Sequence, residues 1–155
     1  MEYLGLALAL SGAVMTIIVA GIGSIKAVAL VSMSGMGVLT EDPSKFGRLL
    51  IVQLLPGSQG LYGFIVAIMI LSNVGILGGS HDFSWQVGLL YLVACLPVTL
   101  GGFISAIHQG KVAAAAVNLV AKKPDESMKG VVFASLVELY AILSFVVSLV
   151  VIIGL

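Results

Sequence analysis

Fourteen charged residues are spread so unevenly along these 155 residues that they divide the chain into four long uncharged stretches. Positions 3–25 carry no charge, nor do 49–81 or 83–110. Residues 130–155 are broken once, by Glu138. A membrane-crossing helix needs about 20 apolar residues. Each stretch is therefore long enough for one crossing and too short for two. The expected architecture is an all-α membrane protein with four transmembrane helices, over about 4–31, 48–74, 85–110 with an extension towards 120, and 130–154. The mean hydropathy of +1.22 fits that class. A soluble single domain, which averages about 25% charged residues, does not. Transmembrane strands are excluded because the apolar runs do not alternate. Glu2 stands where a secretory signal would carry basic residues, so the first segment is expected to remain as a span.

The seven basic residues fall in two groups. Lys26, Lys45 and Arg48 surround the first connection; Lys111, Lys122, Lys123 and Lys129 surround the second. The connection between them carries Asp82 and no basic residue. The positive-inside rule then puts connections 1–2 and 3–4 in the cytoplasm and both termini outside. Zero net charge argues against a nucleic-acid partner. A single cysteine, Cys95, leaves neither an internal disulfide nor a cysteine metal site. Cys95 reads as a small core residue, His81 as an exposed loop residue and His108 as interfacial, and Trp85 and Tyr91 suit the outer membrane interface. The sequence has no phosphate-binding loop and no nucleophile–base motif, so ATP is not expected to bind it.

The chain is also a doubled hairpin. An offset of 81 pairs Pro43 with Pro124, Arg48 with Lys129, Leu55 with Leu136, Phe64 with Phe145 and Val66 with Val147. The expected units are a first hairpin over 1–80 and a second over 81–155. Both begin outside and turn in the cytoplasm, so they are parallel repeats and not inverted ones. Helix 1 carries small residues at helical spacing, Ala13, Thr16, Ala20, Ser24 and Ala27. Helix 3 does the same with Gly102, Ser105, Ala106, Gln109 and Ala113. Small faces permit close helix approach in lipid. They suit a crowded inner layer, as in a closed ring of subunits, and equally a compact monomeric bundle.

Glu138 lies eight residues beyond Gly130, about 12 Å inside the fourth helix. A carboxylate at that depth is costly and marks a functional candidate. On helix 2, Leu55, Ser58, Gln59 and Tyr62 share one face through i, i+3, i+4, i+7 spacing. Pro56 cannot donate a hydrogen bond and should kink the helix there, freeing carbonyls near residues 52–55. Such a face offers hard oxygen donors suited to a hard cation. Two readings of these residues stay open, an ion site or interhelical hydrogen bonding around a tolerated bend. Gln109 fits either the site or packing.

The segments GIGS (21–24), QLLPGSQGLYGF (53–64), QGKVAAA (109–115) and VELYAIL (137–143), together with the doubled hairpin, resemble the proteolipid subunit (K or c) of V-type ATPases over essentially the whole chain. The resemblance is strongest to bacterial sodium-translocating members. It implies a subunit without catalytic residues of its own, assembled into a homo-oligomeric rotor ring in the lipid bilayer. The ring would turn against a stator membrane subunit and connect to a central stalk. The resemblance further implies that Na+, or alternatively H+, is carried by the Leu55 carbonyl, Ser58, Gln59, Gln109 and Glu138, with Tyr62 bonded to the carboxylate. Sodium-type relatives have threonine where this chain has Ser58, so the hydroxyl is kept and the methyl is not. Two other functions are compatible with a single membrane glutamate: a small four-helix proton-coupled exchanger and a structural tetraspan subunit.

Overall fold

The computed structural model describes residues 3–76 and 84–155. Glu2 and Asp82 of the charge map, and His81, expected to be an exposed loop residue, lie outside the described residues. The described chain is helical almost throughout. α1 spans Leu4–Glu41; α2 spans Phe46–Leu54 and α3 Ser58–Asn73; α4 spans Trp85–Ala94 and α5 Leu96–Lys122; α6 spans Ser127–Ile153. They form four apolar spans long enough to cross a membrane, with α2 and α3 in the second and α4 and α5 in the third.

α1 is longer than expected, continuing past residue 31 to Glu41, while α5 reaches Lys122, in line with the expected extension towards 120. The 38 residues of α1 make about 57 Å at 1.5 Å per residue, well beyond the hydrocarbon thickness of about 30 Å. Ser32, Ser34 and Thr40 give this region the composition of a polar connection. Each hydroxyl instead donates to the carbonyl four residues back, at 2.7, 3.0 and 2.8 Å. That bond satisfies the hydroxyl inside the helix and lets it continue.

Both basic connections are tight 3-10 turns that open on proline, Pro43–Lys45 and Pro124–Glu126. Proline fits the first position of such a turn because it lacks the N–H that would go unpaired there. Asp42 caps the first turn by accepting from the Ser44 hydroxyl at 2.6 Å and its amide at 3.1 Å. These bonds, the hydroxyl's foremost, hold the Asp42 carboxyl below its ordinary pKa. The two turns are joined by Lys45 donating to the Ala121 carbonyl at 2.8 Å and by Arg48 paired with Asp125 at 3.1 Å. The exposed Arg48–Asp125 pair adds little stability, because solvent screens it.

α1 and α5 are the central pair, α3 flanks α1, and α6 flanks α5. α1 runs parallel to the third span, α4 and α5, along its length. A Cβ on Gly88 would strike Gly5, Thr16 Oγ1 lies 2.8 Å from Thr99 Oγ1, a Cβ on Gly23 would strike Phe103, and one on Gly110 would strike Ala27. Lipid supplies no hydrophobic force between helices, so this close van der Waals packing holds the bundle together. The small stripes read from the sequence are the buried faces: Ala13, Thr16, Ala20, Ser24 and Ala27 on α1, and Gly102, Ser105, Ala106, Gln109 and Ala113 on α5. Large side chains such as Ile25, Leu61, Phe133 and Val150 face outward. Trp85 is half exposed at the start of α4, but Tyr91 departs from the expected interfacial position and is buried in the core beside Ala9 and Ala94. Cys95 is buried, as expected, and its thiol donates to the Leu92 carbonyl at 3.0 Å. His108 is exposed on α5.

A Cβ at Gly110 would lie 2.6 Å from the Ala27 Cβ and 2.7 Å from its Cα, whereas one at Gly37 meets nothing within 4 Å. Gly110→Ala should therefore destabilise the bundle by about 1–3 kcal/mol through overpacking. Gly37→Ala should not destabilise it. Denaturant unfolding of the detergent-solubilised protein, followed by circular dichroism, checks the pair.

Candidate ion-binding site

The second span is interrupted at Pro56, where the sequence places a kink. α2 stops at Leu54, Leu55–Gly57 forms a 3-10 turn, and α3 resumes at Ser58. Ser58 N donates to the Leu55 carbonyl, a three-residue closure that tightens the chain. The Ser58 hydroxyl lies 2.9 Å from the same carbonyl. Leu55, Ser58, Gln59 and Tyr62 thus share a face directed at α5 and α6.

α6 brings Glu138 to that face from the other hairpin. Ser58 Oγ lies 2.6 Å from Glu138 Oε1, and the Tyr62 hydroxyl donates to the same oxygen at 2.7 Å. Gln109 Nε2 donates to Glu138 Oε2 at 3.3 Å. Gln59 Nε2 donates to Gln109 Oε1, closing the floor of the site with two glutamines that are each 0% exposed. The Tyr62 ring stacks on Phe145 with centroids 5.1 Å apart, fixing the direction of its hydroxyl. All six residues expected at the site, and the proline expected to shape it, lie in this one neighbourhood. Gln109 differs in one respect from the oxygen ligand that the resemblance implies. Its amide nitrogen faces the carboxylate and its oxygen is taken by Gln59.

Proton counting at Ser58 describes the chemistry. A hydroxyl has one proton. Ser58 Oγ nevertheless has three oxygens within reach, Leu55 O at 2.9 Å, Gln59 Oε1 at 3.4 Å and Glu138 Oε1 at 2.6 Å. Two of those contacts have no serine proton between them, so the cluster needs a cation or a further proton to hold it together. A small cation among these oxygens would do so by coordination. Among the described residues the ion pairs are Lys45–Asp42, Arg48–Asp125 and Lys129–Glu126, so Glu138 has no basic partner there. Nor do three His, Cys, Asp or Glu side chains cluster among those residues. The donor set is one carboxylate with neutral oxygens, which suits a hard, weakly charged ion and not a transition metal.

Two further hydroxyls brace the site, and sequence reasoning marks them only as members of the small stripes. Ser24 on α1 accepts from Gly60 N at 2.9 Å and reaches the Gly57 carbonyl at 3.5 Å. Ser105 on α5 donates to the Val137 carbonyl at 3.0 Å. A hydroxyl in a run of alanines and glycines at the depth of Pro56 and Glu138 is the signal that could have found them.

The family model for the ATP synthase C subunit matches this chain twice, over residues 11–70 and 92–151. The chain belongs to that family. The second match begins and ends 81 residues after the first (92 against 11, 151 against 70), the same offset that aligns the hairpins. The chain is 49% identical over 131 residues to the V-type sodium ATPase subunit K of Enterococcus hirae, covering 84% of this chain and 81% of that protein. It is 36% identical over 143 residues to the A-type ATP synthase subunit K of Methanocaldococcus jannaschii, covering 92% of this chain and 60% of that protein. This family member has two hairpins and one carboxylate at membrane depth. The offset places Gly57 opposite Glu138, Leu139 opposite Ser58 and Tyr140 opposite Gln59, so the mirrored arrangement lacks the carboxylate and the paired oxygens.

Gln59→Leu would leave the buried Gln109 oxygen without its donor. The loss should cost about 1–3 kcal/mol, the range for an orphaned buried polar group. A lowered thermal transition in the solubilised ring is the expected reading.

Proposed function

We propose that this chain is the ion-carrying rotor-ring subunit of a rotary V-type ATPase, that its cargo is Na+, and that the partner subunits hydrolyse ATP. The observation that carries the reading is the gathering of the Leu55 carbonyl, Gln59 Oε1 and Glu138 Oε1 around the Ser58 hydroxyl, whose single proton can serve only one of them. Gln109 and Tyr62 complete the set from α5 and α3. Similarity to a sodium ATPase subunit K supports sodium as the cargo.

With Na+ bound, the ionised Glu138 is part of a nearly neutral unit. Tyr62 and Gln109 hold both carboxylate oxygens, and the unit can face lipid as the ring turns. Without its ion the carboxylate has no countercharge, and exposure to hydrocarbon becomes unfavourable by at least a few kcal/mol. That cost biases the ring towards loading before a site re-enters the bilayer. At the stator membrane subunit a fixed positive side chain would compete for Glu138 and release the ion. Lys45, Arg48, Lys122, Lys123 and Lys129 lie at the turns, which face the cytoplasm and the central-stalk subunit in this reading, while both termini face outside the cell membrane.

One site per four helices sets the gearing. For a ring of given helix count, fewer ions move per turn than with one site per hairpin. Each ion then receives more of the ATP free energy, which suits pumping against a steep gradient.

Glu138→Gln tests the reading in the reconstituted complex. The variant should assemble into intact rings and lose ATP-driven sodium uptake into vesicles. Sodium uptake at the wild-type rate would contradict the assignment, and an exchanger would transport in the absence of its ATPase partners.

A further inference from the structure

On α1, Ser11, Thr16, Ser32, Ser34 and Thr40 each donate to the carbonyl four residues back, and on α5 Thr99 does the same. Of these, Thr16 and Thr99 also meet each other between the two inner helices, and Ser32 accepts from the Gln53 side chain on α2. Ser24 and Ser105 bond instead to the backbone of the outer helix of their own hairpin, beside the ion site. They are separated by the repeat offset of 81 residues. Their targets also correspond, because the residues they engage flank or contain the two aligned positions Gly57 and Glu138.

We propose that Ser24 and Ser105 are paired positioning residues. They act through the backbone of the outer helices to set the separation between the two halves of the ion site. The proposal rests on the reading of that site as a sodium site.

The geometry of Ser24 follows from the proline. Pro56 forces the 3-10 turn over Leu55–Gly57, and the regular backbone ladder is disturbed on either side of it. Ser24 Oγ takes the Gly60 N–H at 2.9 Å on the far side of the turn and reaches the Gly57 carbonyl within it. Ser24 thereby ties the last residue of the turn and the start of α3 to α1, with Ser58 and Gln59 between the two contacted residues. Gly60 permits this approach, since a Cβ there would already lie 3.3 Å from Ser24 Oγ. Both serines are buried, Ser24 at 7% and Ser105 at 5% exposure, so water does not replace their bonds at low cost.

Ser105 holds the other half. Its bond to the Val137 carbonyl at 3.0 Å fixes the backbone immediately before Glu138. A site that chooses between Na+ and H+ depends on the distance between the Glu138 carboxylate and the neutral oxygens of α3. A proton needs only the carboxylate. Sodium needs the neutral oxygens as well, so loosening either clamp should weaken sodium binding more than protonation.

The experiment is carbodiimide labelling of Glu138 in intact purified rings at fixed pH, with NaCl varied at constant ionic strength. Wild-type labelling should be suppressed by sodium. Ser24→Ala and Ser105→Ala should each raise the half-protecting sodium concentration about fivefold, in line with loss of one buried hydrogen bond. Ser24→Thr, which keeps the hydroxyl, and Thr16→Val, which removes a buried hydroxyl distant from the site, should stay at the wild-type value. Equal protection in wild type and both alanine variants would overturn the positioning role alone, as would a matching shift in Thr16→Val. Failure of Ser24→Ala to assemble would make that serine a packing residue and overturn the proposal as well. A wild-type ring that sodium does not protect would overturn the sodium reading and this proposal with it.

Discussion

A carboxylate without a protein countercharge, placed in the middle of a membrane-spanning helix, is the constraint around which the structure is organised. Glu138 is too deep for water to solvate and has no lysine or arginine beside it among the described residues. Its charge must be balanced by a mobile ion or removed by a proton. The fold gives it a Tyr62 hydroxyl and a Gln109 amide as fixed donors, and a serine whose single proton cannot serve all the oxygens around it. The broken second span follows from the same need. A continuous helix would commit its carbonyls to the ladder, whereas the turn at Pro56 presents the Leu55 carbonyl and Ser58 together at one point.

Duplication of a hairpin explains how such a site is supported. The inner helices α1 and α5 are smooth enough to pack in parallel, and the outer helices are then held at a fixed separation upon them. Each hairpin contributes half of the site: Leu55, Ser58, Gln59 and Tyr62 from the first, Gln109 and Glu138 from the second. The duplication is asymmetric where chemistry is concerned. Gly57 stands at the position equivalent to Glu138, and Leu139 and Tyr140 stand where the first hairpin has Ser58 and Gln59. One carboxylate at membrane depth is served by four helices.

Much of this is legible in the sequence because membranes impose coarse rules. Uncharged length locates the four spans, and the depth of Glu138 follows from counting residues. The i, i+3, i+4, i+7 spacing puts the face of α3 together without any knowledge of contacts. Helix ends are less legible. Ser32, Ser34 and Thr40 resemble a polar connection on composition, and their bonds to their own helix are a feature of the backbone that composition does not encode. Tyr91 departs from its expected place for a related reason, since depth along a helix says nothing about which side faces the core. The direction of the Gln59–Gln109 pair and the bracing by Ser24 and Ser105 depend on contacts between helices distant in sequence.

If the oxygens around Glu138 form one sodium site per chain, purified rings must bind one sodium ion for each copy of it. Equilibrium binding of radioactive sodium to detergent-solubilised rings measures this directly. Saturable binding of one ion per chain is expected, competed by protons as pH falls and absent in Glu138→Gln rings. No saturable binding, or saturable binding that survives in Glu138→Gln rings, would contradict the assignment.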